Sequence, residues 1–235
     1  MDKQFNFQEL HAIVAALRSE NGCPWDKAQT HESLKPCVIE EAYEVNQAIT
    51  DLTNTNNPDN LCEELGDLLL QVMLHSQIGE ENGEFTLEDV IDGIARKMIR
   101  RHPHVFGKES YRSVEDQQAG WDKIKAAEQE RPLSPQEELA NIPAAFPALV
   151  RSQKVLKKAM KHEMISSDEE EIFRQMLHAV VSLQMAASHP EDTEGLSSQL
   201  GTALFSISRL AAKYGIHSEM ALIKETEDFI RDHSL

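Results

Sequence analysis

The sequence predicts an all-α protein organised as two tandem helical bundles. Three observations carry that expectation. Apolar residues recur at three-to-four spacing through nearly every segment, as Phe7, Leu10, Ile13, Val14 and Leu17 do at the start. No stretch sustains the period-two alternation of a half-buried strand. Finally, Leu65-Gly66-Asp67-Leu68-Leu69 returns in the second half as Leu200-Gly201-Thr202-Ala203-Leu204, and each copy enters a long apolar-periodic helix that ends at a glycine.

Taken in order, the first helix stops at Gly22-Cys23-Pro24-Trp25, where glycine and proline break the periodicity. A second helix should begin near Thr30 to Ser33 and carry Glu40, Glu41 and Glu44. Asn54 to Asn57 reads as a loop, with Asn57 capping a third helix and Pro58 in its first turn. That helix carries Glu64 and Asp67 and fades near Gly79 to Gly83. Thr86-x-x-Asp89 and Ser113-x-x-Asp116 have the form of capping boxes, with Asp in place of Glu, and open two more helices. Pro132, Pro135, Pro143 and Pro147 mark a linker or short connecting helix. Beyond them four helices are expected, at roughly 147–163, 168–187, 193–213 and 218–231, with Ser167-x-x-Glu170 capping the second. The expected domains are residues 1–130 and 148–235, joined by a Pro-rich linker at 131–147.

Composition narrows the class of function. The chain has 235 residues, 40% of them apolar and 27% charged, which suits an ordinary soluble protein. A formal net charge of −17 argues against a nucleic-acid groove, which needs a basic footprint. A small phosphorylated substrate stays admissible, because bound cations reverse the local field. Cys23, Cys37 and Cys62 are odd in number and form no C-x-x-C pair, so they read as reduced cytosolic thiols buried like small hydrophobes. Met1-Asp2-Lys3-Gln4 lacks the basic-then-apolar order of a signal peptide, and Leu68 to Leu74 is too short to cross a bilayer. A cytoplasmic protein without a membrane partner is the expectation.

The acidic residues point to chemistry. At about 100° per residue, Glu40, Glu41 and Glu44 occupy an arc of about 100° on one helix, and Glu64 and Asp67 share a face of the next. Antiparallel packing of the two would converge four or five carboxylates on one point. Such a concentration is costly unless cations neutralise it. Three explanations compete. In the first the clusters are simply solvated, although Val38, Ile39, Val45 and Ile49, with Leu65, Leu68, Leu69 and Val72, leave little room for a purely polar face. The second is a di-iron bundle, which would use Glu-x-x-His, a spacing this chain lacks despite ten histidines. The third is Mg²⁺ or Mn²⁺ in an all-oxygen shell, which fits phosphate chemistry. No G-x-x-x-x-G-K-[ST] loop cradles phosphates, so metals and basic side chains must hold them. Arg96, Lys97, Arg100 and Arg101 share one helix and are candidates, though a basic helix end also complements the helix dipole.

The chain resembles the MazG family of nucleoside triphosphate pyrophosphohydrolases. The likeness rests on Gly22-Cys23-Pro24-Trp25-Asp26, Glu40-Glu41-x-Tyr43-Glu44 and Glu64-Leu65-Gly66-Asp67, and continues through Arg100-Arg101-His102-Pro103-His104-Val105-Phe106 and Trp121-x-x-Ile124-Lys125. The resemblance implies two MazG-like bundles and Mg²⁺-dependent hydrolysis of a nucleoside triphosphate to monophosphate and pyrophosphate, with Mn²⁺ as a substitute ion. It matches Glu41, Glu44, Glu64 and Asp67 to metal ligands and Glu40 to a residue that orients or deprotonates the attacking water. Lys97 and Lys125 suit neutralisation of the polyphosphate, with Arg101 beside them, while Trp25 could stack a base or join the core. Trp121 reads as core, and His102 and His104 shape a helix terminus or reach phosphate. Relatives associate through helices, so a homodimer is implied. In the second half His178, Ala179 and Ser182 fall opposite Glu40, Glu41 and Glu44, while Gln199 and Thr202 replace Glu64 and Asp67. That copy is expected to be a scaffold, dimerisation or regulatory module. A different class of function, a catalytically weak nucleotide-binding or regulatory protein on the same fold, stands as the alternative.

Overall fold

The computed structural model describes residues 4–128 and 131–234. Met1 to Lys3 of the amino-terminal tetrapeptide and the domain boundary at residue 130 lie outside them. Every regular element among the described residues is helical. In order these are α1 Phe7–Arg18, α2 Pro24–Ala28, α3 Lys35–Thr55, α4 Asp59–Asn82, α5 Leu87–Arg101, α6 Pro103–Phe106, α7 Val114–Ala127, α8 Pro135–Ala140, α9 Ala148–Lys161, α10 Glu169–Ala187, α11 Thr193–Tyr214 and α12 Ser218–His233. The chain divides into two compact units, Met1–Lys125 and Ala126–Leu235.

In the first unit α3 and α4 form a helix hairpin, and α1 and α5 pack against α4. The connection is short because Asn56 closes α3 in the left-handed conformation (φ 57°), which asparagine tolerates. Val14 of α1, Leu34 just before α3, Met73, Leu74 and Ile78 of α4, and Leu87 of α5 make the core. Arg18 ties three elements together. Its Nε and Nη2 donate to the Glu81 carboxylate at 3.1 and 2.7 Å, and its Nη1 donates to the Asp26 and Gln29 carbonyls at 2.5 and 3.1 Å. A guanidinium buried this far needs all of those acceptors. The turn before α3 is held to α4 by His31, whose Nδ1 lies 2.7 Å from Nδ1 of His75.

Local chemistry moves several helix starts from where spacing alone puts them. Thr30 and Ser33 do not open α3. They bond each other's backbone N–H groups (2.9 and 3.1 Å), so the helix waits for Lys35, with Pro36 in its first turn and Leu34 buried as its cap. Asn57 is not the cap of α4. Pro58 takes that place, and Asn57 Oδ1 accepts from Asp59 N at 3.0 Å from one residue further out. Ser167 does not cap α10; Asp168 does, its Oδ1 accepting from Glu171 N at 2.9 Å. At α7, Ser113 accepts from Asp116 N at 3.2 Å, but the Asp116 carboxylate turns to Arg112 N rather than closing the box. The Thr86–Asp89 box at α5 forms in full.

The second unit repeats the plan. There α10 and α11 form the hairpin, α9 packs on α11 and α12 follows it. Gly83 and Gly215 end α4 and α11 alike at φ 69° and 68°, a conformation that favours glycine. Among its prolines this unit also builds α8, whose Glu138 bonds Lys158 of α9.

Replacing Arg18 by Met should lower the unfolding free energy by about 2–3 kcal/mol, less than for a fully buried pair because Glu81 is 37% exposed. Urea denaturation of the two proteins measures it, and an unchanged midpoint would remove Arg18 as the tie among α1, α2 and α4.

Candidate metal centre

The α3–α4 hairpin does the positioning. Glu41 faces α4 from the second turn of α3, and Glu64 and Asp67, one turn apart, face α3 from α4. One carboxylate oxygen from each of Glu41, Glu64 and Asp67 can be chosen so that all three lie within 4.8 Å of one another. Glu41 and Glu64 are partly buried, while Glu44 stands exposed beside them.

The electrostatics match that crowding. The Glu41 carboxyl is pushed above its ordinary range, first by burial and then by Glu44, Asp67 and Glu64. The Glu64 carboxyl is also raised, by burial and then by Glu44, Asp67 and Glu63. All these charges have one sign, and oxygen-only ligation of this kind suits a hard divalent cation.

The other residues singled out in the sequence stand apart on other elements. Glu40 is exposed on α3, next to Glu41 but outside the group of three. Lys97 is exposed on α5, and Lys125 is exposed near the end of α7. The Arg101 guanidinium lies 5.5 Å from the centre of the Trp121 ring. Trp25, on α2, is 61% exposed. His102 Nδ1 lies 2.7 Å from the Met98 carbonyl, and its ring meets Trp121 edge-on. His104 Nε2 lies 3.3 Å from the Gln117 amide, so both rings brace the turn at α6.

One polar residue near the cluster escaped notice in the sequence. Gln71, a turn beyond Asp67 on the same face of α4, donates from Nε2 to Glu41 Oε1 at 3.5 Å. Its four-residue spacing from Asp67 was the only signal available.

In the second unit the equivalent surface carries no carboxylate at these positions. Ala179, at the place of Glu41, is buried at 3% exposure. Thr202, at the place of Asp67, donates its hydroxyl to the Ser198 carbonyl at 3.1 Å.

Fold and site together define an all-α protein in which a helix hairpin gathers three carboxylates into one cluster. Comparison with known proteins makes this specific. Residues 29–106 match the MazG nucleotide pyrophosphohydrolase domain, a span that holds all five acidic residues. The nucleoside triphosphate pyrophosphohydrolase/pyrophosphatase MazG of Thermotoga maritima is 39% identical over 224 residues, covering 95% of this chain and 82% of that one. The nucleoside triphosphate pyrophosphohydrolase of Escherichia coli K12 is 35% identical over 234 residues, covering 94% and 83%. The uncharacterised protein YabN of Bacillus subtilis is 40% identical over 228 residues, and the chain spans 45% of its length. The chain belongs to the MazG family of nucleoside triphosphate pyrophosphohydrolases, hydrolases that act on acid anhydrides.

Because the Glu41 carboxyl is raised in the folded protein, native protein holds its proton to higher pH than the unfolded chain. Its contribution to stability is therefore present below the unfolded carboxylate range and lost as pH rises through the raised folded value. At neutral pH without metal the ionised group opposes folding. Glu41→Gln should raise the melting temperature in EDTA at pH 7.5 by about 1–2 °C and leave it unchanged near pH 4. Scanning calorimetry at the two pH values measures this, and a lower melting point at pH 7.5 would sink it.

Proposed function

We propose that the protein hydrolyses nucleoside triphosphates to nucleoside monophosphate and pyrophosphate with Mg²⁺, Mn²⁺ being able to replace it, and so clears surplus or non-canonical nucleotides in the cytoplasm. The observation that carries the metal is the convergence of Glu41, Glu64 and Asp67 within 4.8 Å. In a chain of net charge −17, a bound cation reverses the field of this acidic face toward a polyphosphate.

In this reading Glu41, Glu44, Glu64 and Asp67 hold the cation. When bound, it neutralises polyphosphate charge and makes a coordinated water more acidic. Glu40, on the adjoining part of α3, orients the attacking water and accepts its proton. The α–β anhydride bond breaks, the water oxygen bonds to phosphorus, and the pyrophosphate and monophosphate separate. Lys97 and Lys125, with Arg101, neutralise the polyphosphate, and Trp25 offers its open face to a base. Residues 148–235 form a degenerate repeat without catalytic carboxylates, serving as scaffold, regulatory or dimer-forming module.

Product analysis on a panel of ribo- and deoxyribonucleoside triphosphates tests the activity. Pyrophosphate and monophosphate should appear with Mg²⁺ and disappear with chelator. Glu41→Gln should abolish turnover, and Glu40→Gln should reduce kcat by about 10²–10⁴-fold. Equal silence from wild type and variants across the panel would favour the nucleotide-binding reading instead.

We also propose a homodimer. Both hairpins leave apolar side chains in water, Ile39, Tyr43 and Leu65 on the first and Leu177, Val181 and Leu200 on the second, each about half exposed. Sedimentation equilibrium should give twice the chain mass of 26.5 kDa, and a monomer at all concentrations would overturn it.

A further inference from the structure

The carboxylate cluster has a neighbour that no part of the proposed chemistry uses. Gln71 is only 6% exposed, yet it is an amide with two donors and an acceptor to satisfy. Its Nε2 reaches Glu41 Oε1 at 3.5 Å, a long bond. Its Oε1 is fully buried and has no hydrogen-bond partner. The amide cannot simply be reversed, since that would set a carbonyl oxygen against a carboxylate oxygen. The donor side therefore belongs to Glu41.

Two features argue against ordinary packing. A buried side chain that only fills space is better apolar, as its neighbours Met73 and Leu74 are. In the second unit, where the carboxylates are gone, the equivalent position is Ser206, whose hydroxyl donates to the Thr202 carbonyl at 2.9 Å. The amide and the acids disappear together, and the replacement needs nothing from the neighbouring helix.

We propose that Gln71 is a positioning residue for the metal centre. Its amide N–H fixes the rotamer of Glu41 across the hairpin and so holds that carboxylate toward Glu64 and Asp67. Carboxylate ligands commonly depend on such outer partners, and losing one weakens metal affinity by about 10–100-fold. This assignment rests on the metal reading of the Glu41, Glu64 and Asp67 cluster.

The test is Mn²⁺ binding to full-length protein without nucleotide, followed by electron paramagnetic resonance and calorimetry. Gln71→Met keeps the volume and removes both hydrogen-bonding functions, and Gln71→Leu serves as a second apolar variant. Either should remain folded and bind Mn²⁺ at least about 10-fold more weakly, with kcat at fixed Mn²⁺ falling and KM for the nucleotide little changed. In a Glu41→Gln background, Gln71→Met should cause little further loss of Mn²⁺ affinity, since the pair acts as a unit. Wild-type affinity in a folded variant, fully additive losses in the cycle, or loss of the fold in both variants would overturn the assignment. Failure of wild-type protein to bind Mn²⁺ would instead strike the metal reading itself and take this one with it.

Discussion

Mutual repulsion among Glu41, Glu44, Glu64 and Asp67 is the constraint that the first unit is built to withstand. Like charges on facing helices push those helices apart, and the Glu41 and Glu64 carboxyls are raised first by burial and then by these neighbouring charges. What opposes it is distributed over the hairpin. The left-handed turn at Asn56 keeps the connection short, so α3 and α4 cannot drift far at that end. Further along α4, Met73, Leu74 and Ile78 anchor the helix in the core with Val14, Leu34 and Leu87. Beyond them Glu81 receives two bonds from Arg18. The carboxylates thus sit between a tight turn and a packed, ion-paired region, which keeps their spacing set before any cation arrives.

The second unit shows what the same scaffold does once that constraint is lifted. Ala179 of α10 is buried, and so are Ala203 and Ser208 of α11. Its buried Arg209 bonds Gln175 and the Ser166 carbonyl and so joins α10, α11 and the segment before α10. A guanidinium plays this joining part in both units, although it comes from α1 in the first and from α11 in the second. Both units are built around a helix hairpin, while the polar contacts that brace it differ.

Much of the fold is legible in the residues because periodicity and caps are local signals. The α3 and α4 positions that carry the acids, the Thr86–Asp89 box and the four helices of the second half all follow from spacing within a few residues. The misplaced starts all fall at short polar residues. At Ser167 two short polar residues sit side by side and either can accept the same backbone N–H, while at Thr30–Ser33 and Asn57 the polar side chains close turns of their own ahead of the helix. Where the helix then starts depends on a neighbour's burial, as with Leu34, or on one extra residue of turn, as with Pro58. The acidic cluster was readable because five like charges on two apolar-flanked helices are conspicuous. Gln71 was not, because one glutamine in an apolar run has no periodicity and gains meaning only when Glu41 is seen across the hairpin.

The basic residues show a different limit. Lys97, Arg101 and Lys125 sit on α5 and α7, and sequence spacing says nothing about the distance from those helices to the acids. Exposed lysines on long stems reach several ångströms and lose side-chain entropy when they settle. They are therefore poor candidates for a prebuilt phosphate cradle and better suited to closing on a ligand whose charge is already partly neutralised. The acids invert that logic: Glu41 and Glu64 are partly buried and crowded by like charges, so the hairpin sets their positions. The hairpin, rather than the basic helices, is accordingly the part of the fold where small changes in geometry have the largest chemical consequence.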